Sequence, residues 1–217
     1  MQAITKAFSY LKGVARSVTG KGHYSITPGY IHREKYNYFN DTVNTDNWQK
    51  EVYISAKNLC ESHGLRKVVD VGCGSAFKLI QYMGAYECIG VDVEDTVKWL
   101  NEKYPERQWI TFDAARNTTI NADLVICSDV IEHVLDPDEL LNFIKELNPE
   151  WIVISTPDRN LVPLQYRFGP PQNPTHIREW TFKEFNNYLS GFFDIIEHKI
   201  SNKEQGTQMA ICKRKKA

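Results

Sequence analysis

The sequence predicts an α/β fold in which short buried strands alternate with helices. Residues 67–71 form a β-branched run that passes through two glycines into a segment with helical spacing, residues 77–83. Apolar runs that recur at 87–92 and 122–128 are typical of buried parallel strands. The 217 residues are 42% hydrophobic, which is enough to bury one sizeable core.

The other elements follow in order along the chain. Residues 48–63 have the pattern of a helix, with Asp46 as candidate N-cap and Gly64 as its end. The segment 156–177 contains five prolines, which preclude a regular helix or central strand there. A loop of this length in a compact domain is usually functional or disordered. The remaining predicted elements are helices at 97–104, 136–147 and 182–189 and strands at 109–113, 151–155, 193–200 and 209–212.

Two glycines and two carboxylates mark a candidate cofactor site. Gly72 and Gly74 allow the backbone to approach a ligand closely, and the following helix directs its N–H groups at the turn. A dinucleotide fingerprint would need a third glycine where Phe77 stands, and the Asp70 carboxylate would repel a pyrophosphate but attract a cationic group. Asp92, 20 residues after Gly72, is placed to accept both hydroxyls of a ribose. Adenosine with a cationic tail is S-adenosylmethionine (SAM).

Three segments carry a family resemblance: 69–75 (VDVGCGS), 90–92 (GVD) and 128–134 (SDVIEHV). In this order they resemble the class I SAM-dependent methyltransferases, in their small-molecule and glycan-associated branch, from about Trp48 to the C-terminus. Ser75 and Ala76 stand where a third glycine is common in that family, and Ala76 is small enough to keep the site. Taken alone, the glycine turn is also compatible with an ordinary βα loop.

The resemblance implies a fold and an activity. The fold is a Rossmann-like, seven-stranded, mostly parallel sheet with an antiparallel C-terminal hairpin, helices on both faces and an N-terminal helical cap. The chain would divide into a cap segment, residues 1–64, and a SAM-binding methyltransferase core, residues 65–217, within one structural domain overall. The activity is that of a SAM-dependent methyltransferase of the EC 2.1.1 type.

The same resemblance assigns the cofactor site. In the family an acid or its neighbour after the third strand receives the adenine amino group, which implicates Asp113 or Ala114; a loop acid that caps a turn is the alternative. Ligands of open α/β sheets lie beyond the carboxyl ends of the strands, so Ser128, Asp129, Glu132 and His133 are expected to face the methyl donor. The predicted cofactor-binding residues are Gln49, Asp70, Gly72, Cys73, Gly74, Asp92, Val93, Asp113, Ala114, Ser128 and Asp129.

The N-terminal segment has two distinct parts. Residues 4–18 repeat apolar side chains on one helical face, with no acidic residue before Glu34. This helix would pack on the domain or a partner subunit, or lie on an anionic membrane near a lipid-linked substrate; a targeting presequence is a further alternative. In the aromatic stretch 24–53, Gln49 or Tyr36 is expected to reach cofactor or substrate, although these aromatics are equally compatible with the core.

Two histidines are candidate catalytic residues. Methyl transfer from a sulfonium requires the nucleophile to be held in line, and an aliphatic hydroxyl must also lose its proton to a general base. Histidine is well matched to that role near neutral pH. His176 is the first candidate for base or substrate contact and His133 is the second, with an ordinary hydrogen-bonding role as the alternative for each. A carboxylate acceptor would need no base.

The proline-rich segment and the residue after it supply candidate substrate contacts. A guanidinium group binds both oxygens of a phosphate or carboxylate, and residues 169–180 resemble a segment of glycan- and sugar-associated methyltransferases. The expected acceptor is a sugar, nucleotide-sugar or glycan hydroxyl, with a quinone-like or carboxylate acceptor as the alternative. The predicted substrate-binding residues are Arg159, Tyr166, Arg167 and Arg178.

Composition and motifs restrict the other function classes. The net charge of −1 predicts no nucleic-acid partner, and the fourth strand is not followed by the motifs of DNA or RNA amino-methyltransferases or cytosine-type enzymes. Five cysteines without a C-x-x-C pair indicate reduced thiols, and therefore a cytoplasmic protein. Residues 1–22 could in addition bring the protein into peripheral contact with the inner face of a membrane. We expect no metal site and no membrane span. An alternative function, that of a non-catalytic SAM-binding partner subunit, is compatible with the sequence. The sequence does not predict the oligomeric state.

Overall fold

The computed structural model describes residues 23–35, 41–42 and 48–215. The predicted helix at 4–18, Tyr36 and Asp46 lie outside the described residues. Seven strands form one sheet: β1 (Lys67–Val71), β2 (Glu87–Asp92), β3 (Gln108–Thr111), β4 (Leu124–Ser128), β5 (Trp151–Pro157), β6 (Phe193–Asn202) and β7 (Thr207–Arg214).

The strand order is β3-β2-β1-β4-β5-β7-β6. Strands β1 to β5 pair in parallel, β7 is antiparallel to β5, and β6 is antiparallel to β7. The order reverses between β1 and β4, which places the carboxyl ends of these two strands beside a crevice where ligands of open α/β sheets bind. The predicted Rossmann-like sheet and its antiparallel C-terminal hairpin are confirmed.

In the part of the chain that the structure describes, six α-helices cover both faces of the sheet. Neighbouring residues of a strand point to opposite faces, so Val68 and Val69 enter different hydrophobic clusters. Val68 packs in a cluster with α1, α2 and α3, and Val69 packs in one with α5 and α6. The helices are α1 (Lys50–His63), α2 (Phe77–Met83), α3 (Glu94–Lys103), α4 (Phe112–Arg116), α5 (Pro137–Glu146) and α6 (Phe182–Leu189). Among the described residues, no helix combines the length and the apolar character needed to cross a bilayer.

Some element boundaries differ from the prediction. Strand β3 ends at Thr111, because the Thr111 side chain accepts a hydrogen bond from the Ala114 N–H (3.1 Å) and begins α4 there. Asp113 is therefore helical and not part of a strand. Helix α1 begins at Lys50, after Gln49 in the left-handed region (φ 62°), and ends as predicted at Gly64 (φ 67°). Between β5 and α6 the chain forms two short 3₁₀ turns, Arg159–Leu161 and Leu164–Tyr166. The rest of this described segment is irregular.

Candidate active site

A cavity of about 790 Å³ lies at the carboxyl ends of the central strands. It is lined by the turn after β1, the end of β2, the segment after β4 and part of the proline-rich segment. Eight of the predicted cofactor-binding residues line it: Gln49, Gly72, Cys73, Gly74, Asp92, Val93, Ser128 and Asp129. Both candidate catalytic histidines, His133 and His176, line the same cavity.

The glycine turn is shaped as the sequence requires. Gly72 (φ 75°) and Gly74 (φ 52°) occupy the left-handed region, where a side chain would be strained. A Cβ atom on Gly72 would also overlap the Val130 side chain. The Asp92 carboxylate accepts hydrogen bonds from the Gly74 N–H and the Val93 N–H, both at 2.8 Å, and so ties the turn to the end of β2. Burial raises the pKa of Asp92, and these two bonds oppose that effect.

Asp70 lies behind the cavity wall and does not line it. Its side chain is fully buried, and the hydroxyl of Tyr53, a residue that lines the cavity, donates to Asp70 Oδ2 (3.0 Å). Asp70 Oδ1 has no hydrogen-bond partner in the part of the chain that the structure describes. Burial raises the pKa of Asp70 to about 7, while the bond from Tyr53 and the charge of Lys78 act in the opposite direction.

The segment after β4 turns sharply at Asp129. Asp129 has a φ of 52°, and Ser155 from β5 donates to its Oδ1 (2.5 Å). Gln49 Nε2 donates to Asp129 Oδ2 (2.9 Å), and the Gln49 N–H donates to Gln205 Oε1 in the β6–β7 turn (3.1 Å). Residues from four separate parts of the chain therefore fix this wall of the cavity.

Two histidine rings meet at the cavity. The His133 and His176 rings are 4.7 Å apart and nearly perpendicular. His133 Nδ1 lies 3.2 Å from the Thr175 carbonyl oxygen, which can only accept, so Nδ1 carries the hydrogen and Nε2 the lone pair. Burial and the neighbouring His176 lower the pKa of His133 to about 4, so it is uncharged at neutral pH.

Glu132 and Glu179 also line the cavity, although neither was among the candidate catalytic or cofactor-binding residues and only Glu132 was expected to face the methyl donor. Glu132 is fully buried; Thr156 donates to its Oε2 (2.9 Å), and burial raises its pKa well above the ordinary value. Glu179 Oε1 lies 2.6 Å from His176 Nδ1. Each glutamate is close in sequence to a predicted histidine, one position before His133 and three after His176, which is the signal that could have identified them.

The fold also creates a candidate metal site that the sequence analysis did not anticipate. Glu132, His133 and His176 each offer one ligand atom, and these atoms lie within 4.8 Å of one another. Two imidazoles and a carboxylate suit divalent ions such as Zn²⁺, Fe²⁺ or Mn²⁺. Glu132 Oε1 has no hydrogen-bond partner among the residues described, which fits an oxygen that accepts an ion.

The predicted substrate-binding residues do not line the cavity. Arg159 is buried in an ion pair with Glu184 (2.6 Å), and Arg178 donates to the carbonyl oxygens of Val134 and Leu135, both at 2.8 Å. Arg167 donates to the Val162 carbonyl oxygen (3.3 Å) from the same loop. Because these donors already serve the protein's own acceptors, the geometry does not support substrate binding by Arg159, Arg167 and Arg178. The cavity lining also lacks Tyr166, Asp113 and Ala114. Phe112, the residue before Asp113, does line the cavity.

Comparisons with known proteins agree with the predicted fold and family. A family model described as a methyltransferase domain matches residues 39–197. The small RNA 2′-O-methyltransferase of Mus musculus is 27% identical over 186 residues, and that of Rattus norvegicus is 29% identical; each alignment covers 74% of this chain and 46% of the relative. The chain thus spans less than half the length of these relatives.

Solved structures share the fold at lower identity. The methyltransferase domain of bacterial CtHen1-C superposes with a TM-score of 0.58 at 20% identity, covering 77% of this chain and 98% of that domain. Magnesium protoporphyrin IX methyltransferase from Synechocystis PCC 6803, solved with bound SAM, superposes with a TM-score of 0.53 at 17% identity, covering 76% of this chain and 79% of that one. At these identities the likeness demonstrates the fold alone.

Proposed function

Because this chain belongs to the methyltransferase domain family and is a SAM-dependent methyltransferase, we propose that it methylates a sugar hydroxyl, namely the 2′-hydroxyl of a ribose in RNA. The observation that carries the proposal is the cluster of Glu132, His133 and His176 at the same cavity as the glycine turn. An alcohol, unlike a carboxylate, needs help to lose its proton, and this cluster can supply it. The relatives named for RNA 2′-O-methylation support the choice of ribose.

In this proposal the cofactor lies over the turn after β1. The backbone of Gly72 and Gly74 lines the space that the adenosyl and methionine parts occupy, and Asp92 accepts the ribose hydroxyls. The buried Asp70 carboxylate, with one oxygen that lacks a partner in the described segments, favours the positive charge of the cofactor. The main task of the protein is then to hold the acceptor oxygen in line with the methyl group.

Proton removal is assigned to the histidine pair. His176 Nε2 accepts from Asn173 Nδ2 (3.0 Å), so Nε2 carries the lone pair, and it can take the proton of the acceptor once this bond from Asn173 is released. His133 lies beside it in the uncharged form, so it does not repel the imidazolium that results. In the alternative form of the proposal, a divalent ion held by Glu132, His133 and His176 would supply a Lewis acid that makes the hydroxyl more acidic, and His176 Nε2 would then be a ligand and not the base.

The test measures methyl transfer from radiolabelled SAM to RNA and DNA oligonucleotides of one sequence. We expect labelling of the RNA only, and its loss when a single ribose is replaced by deoxyribose at the modified position. His176→Ala is expected to reduce turnover by about 10²- to 10⁴-fold, the range of a lost general base, and to leave SAM affinity intact. Equal labelling of DNA, or undiminished turnover of His176→Ala, would contradict the proposal.

A free sugar, nucleotide sugar or glycan is the second candidate acceptor. The net charge of −1 favours it, because a protein that binds polyanionic RNA usually presents excess positive charge. The same cluster would serve any aliphatic hydroxyl. A parallel screen of nucleotide sugars and glycan extracts, with mass spectrometry for the added methyl group, separates the two candidates.

A separate experiment with a chelator shows whether a divalent ion at Glu132, His133 and His176 is required for turnover. If it is required, EDTA should abolish turnover and added Mn²⁺ should restore it.

A further inference from the structure

We propose that Glu179 is a positioning residue that fixes the tautomer and the orientation of His176. The proposal deepens the proposed function, on which it rests, because it concerns the same site. Glu179 is 2% exposed, and its Oε1 lies 2.6 Å from His176 Nδ1. His176 is itself only 8% exposed, so the pair is shielded from solvent and the interaction is correspondingly strong.

The hydrogen-bond network determines which ring nitrogen of His176 carries the hydrogen. Asn173 Oδ1 accepts from the Thr175 N–H (3.0 Å) and from the Thr175 hydroxyl (2.8 Å), which orients the amide. Asn173 Nδ2 must therefore point at His176 Nε2 and donate to it. A nitrogen that accepts carries the lone pair, so the hydrogen lies on Nδ1 and is donated to Glu179 Oε1.

Glu179 is in turn held by two other segments. The Glu179 N–H donates to the Tyr30 hydroxyl (3.0 Å), and the Ile177 N–H donates to the Glu132 carbonyl oxygen (2.7 Å). Both bonds hold the backbone of the segment that carries His176 and Glu179. The second oxygen of the Glu179 carboxylate, Oε2, is buried without a hydrogen-bond partner among the described residues, so His176 is the group to which this carboxylate is directed.

The hydrogen bond between Glu179 and His176 matters whether His176 acts as a base or as a metal ligand. In both roles Nε2 exchanges the bond from Asn173 for the proton or the ion. As a base, the ring gains a positive charge when Nε2 takes a proton, and the carboxylate at Nδ1 stabilises that charge. As a metal ligand, the ring must present Nε2 with its lone pair, and a carboxylate on the other nitrogen secures that tautomer and raises the ligand's basicity. Loss of such a partner typically lowers activity or metal affinity about 10- to 100-fold.

The experiment combines nitrogen NMR with kinetics on the full chain. In long-range ¹H–¹⁵N spectra at one fixed pH, His176 is identified among the six histidines by the signal missing from His176→Ala. We expect the Nδ1–H tautomer in the wild type, a mixed or inverted tautomer in Glu179→Ala, and retention of Nδ1–H in Glu179→Gln, whose amide oxygen still accepts. Tyr30→Phe is the matched control: it removes a bond to the Glu179 backbone, keeps the carboxylate, and is expected to leave the tautomer unchanged.

The kinetic arm separates positioning from a structural role. Glu179→Ala should lower kcat about 10- to 100-fold with SAM affinity unchanged, and it should have no further effect in a His176→Ala background. A tautomer unaffected by Glu179→Ala, or effects of the two substitutions that multiply, would overturn the proposal. If no acceptor is methylated at all, the proposed function fails, while the NMR arm still decides the role of Glu179.

Discussion

At the scale of single residues, burial of carboxylates dominates the chemistry of the site. Asp70, Glu132 and Glu179 are all 2% exposed or less, and Asp70 and Glu132 have raised pKa values as a result. A buried carboxylate is costly to ionise unless a donor or a cation compensates it. Each of the three has one oxygen with no hydrogen-bond partner within the described ranges, which fits a site that binds positively charged groups.

The pKa of Asp70 leads to a prediction for cofactor binding. Burial raises this pKa from 3.8 to about 7, so in the cofactor-free protein the carboxyl contributes stability below pH 4 that is lost as the pH rises through 7. SAM brings a positive charge that favours the ionised form, so its affinity should increase between pH 6 and 8. Isothermal titration calorimetry across this range checks the trend, which Asp70→Asn should flatten.

Tyr53→Phe refines the same test. The Tyr53 hydroxyl donates to Asp70 and lowers its pKa, so removing the hydroxyl should raise that pKa further and shift the affinity profile to higher pH. If the pH dependence of SAM affinity is unchanged in both Tyr53→Phe and Asp70→Asn, the Asp70 carboxylate does not interact with the charge of the cofactor.

At the scale of elements, the backbone conformation of the turn between β1 and α2 is tightly constrained. Gly72 and Gly74 are both in the left-handed region, and the turn is held by the Asp92 carboxylate from β2 and by Val130 from the segment after β4. The following helix α2 begins at Phe77 without a side-chain cap, which leaves N–H groups directed toward the turn.

Gly72→Ala tests this constraint. The new methyl group would be strained by the positive φ, at a cost of about 1 to 2 kcal/mol, and would also overlap the Val130 side chain. We expect SAM affinity to fall roughly tenfold or more. Gly64→Ala is the matched control, because Gly64 has a similar φ (67°) but no atom within 4 Å of the added Cβ. Gly64→Ala should lower stability alone, and equal loss of SAM affinity in both variants would contradict the prediction.

At the scale of the whole molecule, one buried ion pair joins the N-terminal segment, the proline-rich segment and α6. Glu184 accepts from Arg159, from the Thr27 N–H (2.7 Å) and from the Thr181 N–H (2.9 Å). The Tyr30 ring stacks against the Arg159 guanidinium at 4.3 Å. Glu184 has a lowered pKa, because these hydrogen bonds and the Arg159 charge outweigh its burial.

Arg159→Ala is predicted to destabilise the protein instead of weakening substrate binding. Leaving the Glu184 carboxylate buried and unpaired should cost about 3 to 5 kcal/mol in the free energy of unfolding, measured by urea denaturation. Arg116→Ala, which breaks an exposed pair with Glu139, should cost less than about 1 kcal/mol. An Arg159→Ala variant with normal stability and a raised KM for the acceptor would restore the original assignment of Arg159 to substrate binding.

Local sequence patterns determined the sheet, the helices and the cofactor turn of this protein. Strand burial, glycine positions and strand-end acids are properties of short segments, so residues such as Gly72 and Asp92 could be placed without tertiary information. The end of β3 was predicted too late, because the capping bond of Thr111 competes with strand pairing over a few residues. The buried pair of Arg159 and Glu184 was not predicted, because nothing near Arg159 in the sequence reveals that Glu184 lies against it.

Only the tertiary structure showed that Glu132, His133 and His176 lie together. His133 and His176 are 43 positions apart, and their rings meet because residues 173–179 return to the segment after β4, where Ile177 donates to the Glu132 carbonyl oxygen. The pairing of Glu179 with His176 and the burial of Glu132 depend on that same return. A periodic pattern records which face of an element is buried, whereas a contact between distant irregular segments depends on the path of the whole chain.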